Sequence, residues 1–135
     1  MEDAFVYEET VRIYDTDAQG VVHYAGYYRF FTDALEQFAN QRTGRIFPLV
    51  NDKVWFVVVE SNAKYYKSAR TGDRLKLNLL PSQLSEKALR FDFRIKRDDD
   101  LICEGYIVQV AIDKTKWKSV QIPGEIIDAL FQKKS

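Results

Sequence analysis

The chain carries one cysteine and one histidine in 135 residues, and no excess of charge of either sign. Each scarcity excludes something. Cys103 alone makes no internal disulfide, so stability must come from packing, and the chain suits a reducing compartment. Twenty Lys and Arg balance twenty Asp and Glu, which leaves no basic field of the kind a dedicated nucleic-acid binder carries. The longest strongly apolar run, Val54 to Val59, is far short of the roughly 20 residues a membrane-crossing helix needs. The opening Met1-Glu2-Asp3 has no basic start and no apolar stretch after it, so no signal peptide and a cytoplasmic location are expected. No repeat, low-complexity tract or linker divides the chain, so a single domain over 1–135 is expected. A chain of this length buries roughly two-thirds of the surface it exposes when unfolded, enough for a real core.

What is present is periodicity. Phe5, Tyr7, Val11 and Ile13 share one parity, with Glu8, Thr10 and Arg12 on the other, so a strand is expected over Phe5 to Ile13. From about Ala25 to Arg42 the period changes to that of a helix. Tyr27, Phe30, Phe31, Ala34, Leu35 and Phe38 form one bulky apolar stripe, and Gly44 suits a left-handed cap beyond Thr43. Beyond the helix nearly everything is strand. The run Val54 to Val59 predicts a strand covered on both faces. Leu75, Leu77 and Leu79 alternate up to Pro81, Phe91, Phe93 and Ile95 alternate after it, and Tyr106 to Ile112 alternate again. Thr71-Gly72-Asp73 and Asp98-Asp99-Asp100 mark turns, and Pro123 to Phe131 predicts a short helix. Hairpin-linked strands imply an antiparallel sheet, and a lone long helix must pack on its face, which gives an α+β domain.

Between the first strand and the helix lies Y-D-T-D-A-Q-G-V-V-H-Y-A-G-Y-Y, residues 14 to 28. Asp15, Asp17, Gln19 and Gly20 imitate the start of a calcium loop, but its twelfth position, normally a bidentate Glu, is Gly26. No metal is expected. A plain strand-to-helix turn would also use Asp and Gly, since an Asp side chain bonds its own backbone two residues on. A third reading starts from the helix end. The first helical turn has about four N–H groups without intrahelical partners. Between Gly20 and Tyr28 no Ser, Thr, Asp or Asn stands ready to cap them. Those N–H groups, at the positive end of the helix dipole, are then open to a developing oxyanion, with Gly26 leaving the backbone accessible and the carboxylate of Asp17 nearby.

The stretch D17-A-Q-G-V-V-H-Y-A-G-Y27 resembles the D-x-x-G-[VI]-V-x-[YH]-x-N-Y pattern of hotdog-fold acyl-CoA thioesterases of the 4-hydroxybenzoyl-CoA thioesterase type. A second stretch, from Val58 through Tyr65, Ala69, Gly72 and Asp73, is similar to that family's V-x-x-x-x-x-Y-x-x-P-A-x-x-G-D-x-L segment. The resemblance runs over residues 5 to 115. It implies a hotdog fold, an antiparallel sheet of about five strands wrapped around one long central helix. It also implies hydrolysis of an acyl-CoA thioester without a cofactor.

Carried over position by position, the family's catalytic carboxylate falls on Asp17 and not on Asp15, acting as nucleophile or as general base toward water. The backbone N–H that polarises the thioester carbonyl falls on Tyr24, and Gly20 is the glycine that allows the turn. The chain departs from the pattern at His23, one place before the usual histidine, at Gly26 in place of Asn and at Ser68 in place of Pro. His23 either positions substrate or water, or only packs. Glu36, on the helix, and Glu60, in an apolar strand, are competing carboxylates. Lys64, Lys67 and Arg70 form a candidate seat for coenzyme A phosphates. The family resemblance also implies at least a homodimer, with a homotetramer expected, and a site built between subunits. The rival readings are a hotdog dehydratase, which would rest on His23, and a non-catalytic acyl-thioester-binding module.

Overall fold

A computed structural model describes residues 5–44 and 53–131. Its strands are β1 (Phe5–Thr10), β2 (Val54–Tyr65), β3 (Arg74–Gln83), β4 (Ala88–Arg97), β5 (Asp100–Asp113) and β6 (Lys118–Ser119). Its helices are α1 (Gly26–Thr43) and α2 (Gly124–Leu130), and a single 3-10 turn spans Ile13–Asp15. The strands form one antiparallel sheet in the order β1-β3-β4-β5-β2, with β6 paired to the end of β5. The two ends of the expected domain, residues 1–4 and 132–135, lie outside the described residues.

The long helix falls where its periodicity puts it. Tyr27, Phe30, Phe31, Ala34, Leu35 and Phe38 are all buried. They face the inward side chains of the sheet: Phe31 stacks on Phe93 with centroids 4.6 Å apart, and Phe38 meets Phe5 edge-on at 5.5 Å. Burying one such ring contributes roughly 2–3 kcal/mol, so this single stripe outweighs any intrinsic helix preference of the segment. The helix ends at Gly44 in the left-handed region, φ 69°, where its N–H caps the Asn40 carbonyl. Residues Ile126 and Leu130 bury the short α2 against the same core.

Three strand expectations change. The first strand stops at Thr10 instead of Ile13, because the Asp15 carboxylate captures the Arg12 N–H at 2.9 Å and winds the chain into the 3-10 turn. Pro81 does not end its strand. The strand runs through it to Gln83, with Pro81 opposite Phe91 of β4. The run Val54 to Val59 is not covered on both faces by its own chain. Phe56 is buried, but Val58 and Val59 are 56% and 58% exposed on an edge strand whose register shifts between Val58 and Glu60.

One polar cluster fixes how the helix sits on the first strand. Arg29, in the first turn of α1, forks onto Asp15, with Nε 2.6 Å from Oδ1 and Nη2 2.7 Å from Oδ2. The same guanidinium reaches Asp33 one turn along and lies 3.8 Å from Glu9 on β1. Three carboxylates thus share one cation in a space where the Asp15 side chain is 2% and the Glu9 side chain 11% exposed. Glu9 Oε2 is buried with no hydrogen-bond partner among the described residues. Burial first, and the adjacent Asp33 carboxylate second, raise the Glu9 carboxyl above its ordinary value. A group with a raised native pKa stabilises the fold when protonated. That contribution is complete below the ordinary carboxylate range and is lost as pH rises through the raised value. Glu9→Gln should therefore melt higher than the parent at pH 7, by roughly 3 °C, and should flatten the decline in melting temperature between weak acid and neutrality. Thermal unfolding from pH 4 to pH 8 measures both, and a variant that melts lower at pH 7 contradicts the assignment.

Candidate active site

The segment from Thr16 to Val22 is a tight hairpin. Thr16 and Val22 form an antiparallel bridge, the Asp17 N–H donates to the Val21 carbonyl at 3.0 Å, and the Gly20 N–H returns to the Asp17 carbonyl at 3.0 Å. Gly20 sits at φ 75°, a conformation that a side chain would strain. Asp17 Oδ1 accepts the Gln19 N–H at 2.9 Å and the Val21 N–H at 3.4 Å. The residue therefore does close its own turn. Its second oxygen, Oδ2, has no partner among the described residues, and the side chain is exposed. Holding the turn and offering a carboxylate oxygen are compatible, because one oxygen does each.

The two aspartates of the motif have separate jobs. Asp15 is buried and fully engaged by Arg29 and the Arg12 N–H, so it is not a second ligand or base beside Asp17. Its backbone carbonyl abuts the start of α1: a Cβ built on Gly26 would lie 3.2 Å from it and 3.0 Å from Val22 Cγ1. Gly26 is thus missing its side chain to let the turn pack on the helix, not to open the backbone to a ligand as the sequence suggested.

The helix begins uncapped by any side chain, with Ala25 at the cap position. The Gly26 N–H folds back to the His23 carbonyl at 2.8 Å and the Tyr28 N–H to Ala25 at 3.2 Å. Among the described residues the N–H groups of Tyr24 and Ala25 donate to nothing. Five turns of aligned peptide dipoles stand behind them, which favours negative charge at this end.

The second motif is stapled to the first. The Val22 N–H donates to the Ala69 carbonyl at 2.9 Å, and the Ala69 N–H donates to Tyr27 Oη at 3.1 Å. Val21 bridges Arg70, and the Thr71 N–H reaches the Gly20 carbonyl at 3.1 Å. Tyr65 Oη donates to the Tyr24 carbonyl at 2.9 Å, its ring tilted against Tyr27 at 5.2 Å. Together Val22, Tyr24, Tyr27, Tyr65, Tyr66, Lys67 and Ser68 enclose a cavity of about 330 Å³ at the helix start. Burial holds the hydroxyls of Tyr27 and Tyr65 above the ordinary tyrosine pKa, so both remain protonated donors at neutral pH.

Other candidates fall away from this cavity. His23 is exposed and meets no carboxylate among the described residues, although its carbonyl closes the turn into α1. Glu36 is exposed on α1, and Glu60 is exposed and accepts the Tyr106 hydroxyl. Of the basic trio, Lys67 lines the cavity but is paired with Asp100 at 2.9 Å. Lys64 lines a different recess of about 340 Å³ with Arg90 and Arg94, on the sheet. Arg70 is exposed beside Val21. The three do not share one cavity. Cys103 is buried and pushed up to about 12, first by desolvation and then by Glu104, so it supplies no thiolate near neutrality. Residues that sequence reasoning left out are Tyr65, Tyr27 and Arg29. The first matches the tyrosine of the second motif and the last is an isolated cation beside an apolar stripe. Neither signal reveals a contact across such sequence separations.

Comparison with known proteins gives the family and the fold. The family model described as the thioesterase-like superfamily matches residues 11–130. The chain is 31% identical over 120 residues to the acyl-CoA thioester hydrolase YbgC of Escherichia coli O157:H7, covering 87% of this chain and 90% of that one. It is 24% identical over 128 residues to a 1,4-dihydroxy-2-naphthoyl-CoA hydrolase of Nostoc punctiforme, covering 94% and 86%. A solved 1,4-dihydroxy-2-naphthoyl-CoA thioesterase from Synechocystis superposes with a TM-score of 0.86 at 23% identity over 96% of each chain, which speaks for a shared fold.

The packing at the helix start is directly testable. Gly26→Ala forces a methyl group against a backbone carbonyl that cannot move without the Asp15–Arg29 fork. It should cost about 1–3 kcal/mol in urea unfolding, and unchanged stability would show that the turn adapts freely.

Proposed function

The chain belongs to the thioesterase-like superfamily and is a hydrolase of acyl-CoA thioesters, and on that premise we propose that Asp17 and the start of α1 carry the reaction. The observation that carries the reading is a pair of unspent groups on one short segment of chain, 17–25: the free Oδ2 of Asp17 and the N–H groups of Tyr24 and Ala25 ahead of an uncapped helix. The Tyr24 N–H donates to the thioester carbonyl oxygen, and the helix dipole stabilises the charge that gathers there as the tetrahedral intermediate forms. Asp17 delivers the attacking oxygen, its own or that of a water it deprotonates. The intermediate collapses with loss of the C–S bond. On the water route coenzyme A leaves as the thiol with the proton that Asp17 took from water. On the direct route it leaves as the thiolate, after which water hydrolyses the acyl–Asp17 anhydride to free acid and supplies the thiol's proton. No cofactor enters this scheme. The dehydratase reading needs His23 beside a carboxylate, and the structure gives His23 no such neighbour among the described residues.

The long helix lying across the antiparallel sheet supports a hotdog arrangement, and the exposed edge of β2 supports assembly. A second copy pairing there covers Val58 and Val59 and brings another surface to the cavity, in a homodimer or a pair of such dimers. The nearby Lys67 and Arg70 meet the coenzyme A phosphates in this reading, with Lys64 further off, and Gly20 keeps the turn open to them. No helix among the described residues is long and apolar enough to cross a membrane, and action in the cytoplasm is the setting we propose.

Asp17→Asn should reduce kcat for the best substrate in a panel of acyl-CoAs by at least about 100-fold, with unchanged circular dichroism and melting temperature. Thiol release is the assay. Retention of full hydrolysis in the folded variant would remove Asp17 from the chemistry, and absence of thiol release from every acyl-CoA in the wild type would favour a binding module. Light scattering should give a mass at least twice 15.8 kDa, falling to the single chain when Val58 and Val59 are both changed to Lys.

A further inference from the structure

The Tyr24 carbonyl stands one residue before the cap of α1, yet the helix does not use it. The Tyr28 N–H, its natural partner four residues on, turns to Ala25 instead. The Tyr24 carbonyl is taken by Tyr65, 41 residues away on β2, at 2.9 Å. The peptide unit between Tyr24 and Ala25 is planar, so a hydrogen bond on its carbonyl edge fixes the direction of the Ala25 N–H on the opposite edge. It also restrains the torsion that joins this peptide to the one carrying the Tyr24 N–H. Accepting a hydrogen bond at the carbonyl polarises the unit and strengthens its N–H as a donor. Both N–H groups are ones that donate to nothing else among the described residues.

We infer that Tyr65 is a positioning residue for the carbonyl-polarising end of α1: its hydroxyl holds the Tyr24–Ala25 peptide so that the Tyr24 and Ala25 N–H groups meet the oxyanion together. The inference rests on the hydrolase reading of the helix start. The observations converge on one residue. Tyr65 lines the cavity and packs its ring on Tyr27, whose own hydroxyl takes the Ala69 N–H of the second motif. Its ring is thereby braced from the side, and its hydroxyl has one strong acceptor. The hydroxyl is protonated across the neutral range, as any ordinary tyrosine is, and so stays a donor.

Tyr65→Phe keeps the ring and the cavity wall and removes only the donor. It should lower kcat about tenfold, the scale of one hydrogen bond expressed in the transition state. KM should stay within about twofold, and the melting temperature should change little, since the hydroxyl is at the surface. A spectroscopic readout separates positioning from general loosening. The probe is S-acetonyl-coenzyme A labelled with carbon-13 at its ketone, which presents a carbonyl but no cleavable thioester. Its carbonyl stretch, read by infrared difference spectroscopy, should shift to lower frequency on binding the wild type and shift less on binding Tyr65→Phe. Asp17→Asn should retain the full shift. Equal kcat in wild type and Tyr65→Phe, or an unchanged carbonyl shift in the variant, overturns the inference while leaving the hydrolase reading intact. Failure of the hydrolase reading itself shows as a wild type that releases no thiol, which is a distinct result.

Discussion

The fork between Arg29 and Asp15 is the contact on which the site depends. It joins the 3-10 turn before the motif to the first turn of α1, with two hydrogen bonds of 2.6 and 2.7 Å in a space closed to solvent on the Asp15 side. The turn leads into Asp17 and the helix follows directly on the free N–H groups of Tyr24 and Ala25, so this fork ties together the two segments to which the proposed chemistry is assigned. A lysine could balance the charge but not grip both oxygens in one plane. Breaking one side leaves a buried ion alone, which costs far more than the pair gains. The fold accepts a further strain here, because Glu9 and Asp33 crowd the same guanidinium and one carboxyl is held above its ordinary range.

Around this fork the molecule divides labour between rigid packing and exposed chemistry. The aromatic stripe of α1 seats the helix on β4 through Phe31, Phe38, Phe91 and Phe93, and none of these side chains reaches the cavity at the helix start. The proposed chemistry collects where the stripe ends. There the backbone turns at 17–20 and again at 23–26, and hydrogen bonds of Tyr27 and Tyr65 to distant backbone hold the segment in place.

Much of this was legible in the residues. The period of 3.6 from Tyr27 to Phe38 located the helix, and alternation located the strands, because both signals come from burial of one face. The missing cap between Gly20 and Tyr28 was equally visible, since an absence of Ser, Thr, Asp and Asn is a property of the chain itself. The extent of the first strand and the passage of β3 through Pro81 were not visible, because each depends on which neighbour stands on which side. The basic trio looked like one patch in the chain and is distributed over two surfaces in the fold, since Lys64 lies on β2 and Lys67 and Arg70 lie beyond its end.

By itself, then, the sequence determined the elements, the resemblance to a thioesterase family, and the choice of Asp17 over its neighbour as the candidate acid. Those follow from local periodicity and from motif spacing, which act over a few residues at a time. Only the tertiary structure decided why Asp15 is unavailable, why Gly26 must lack a side chain and why Tyr65 belongs to the helix start. Each of these is a contact between segments separated by 11 to 41 residues in the chain. Such contacts form only when burial of the aromatic stripe has already brought α1 onto the sheet.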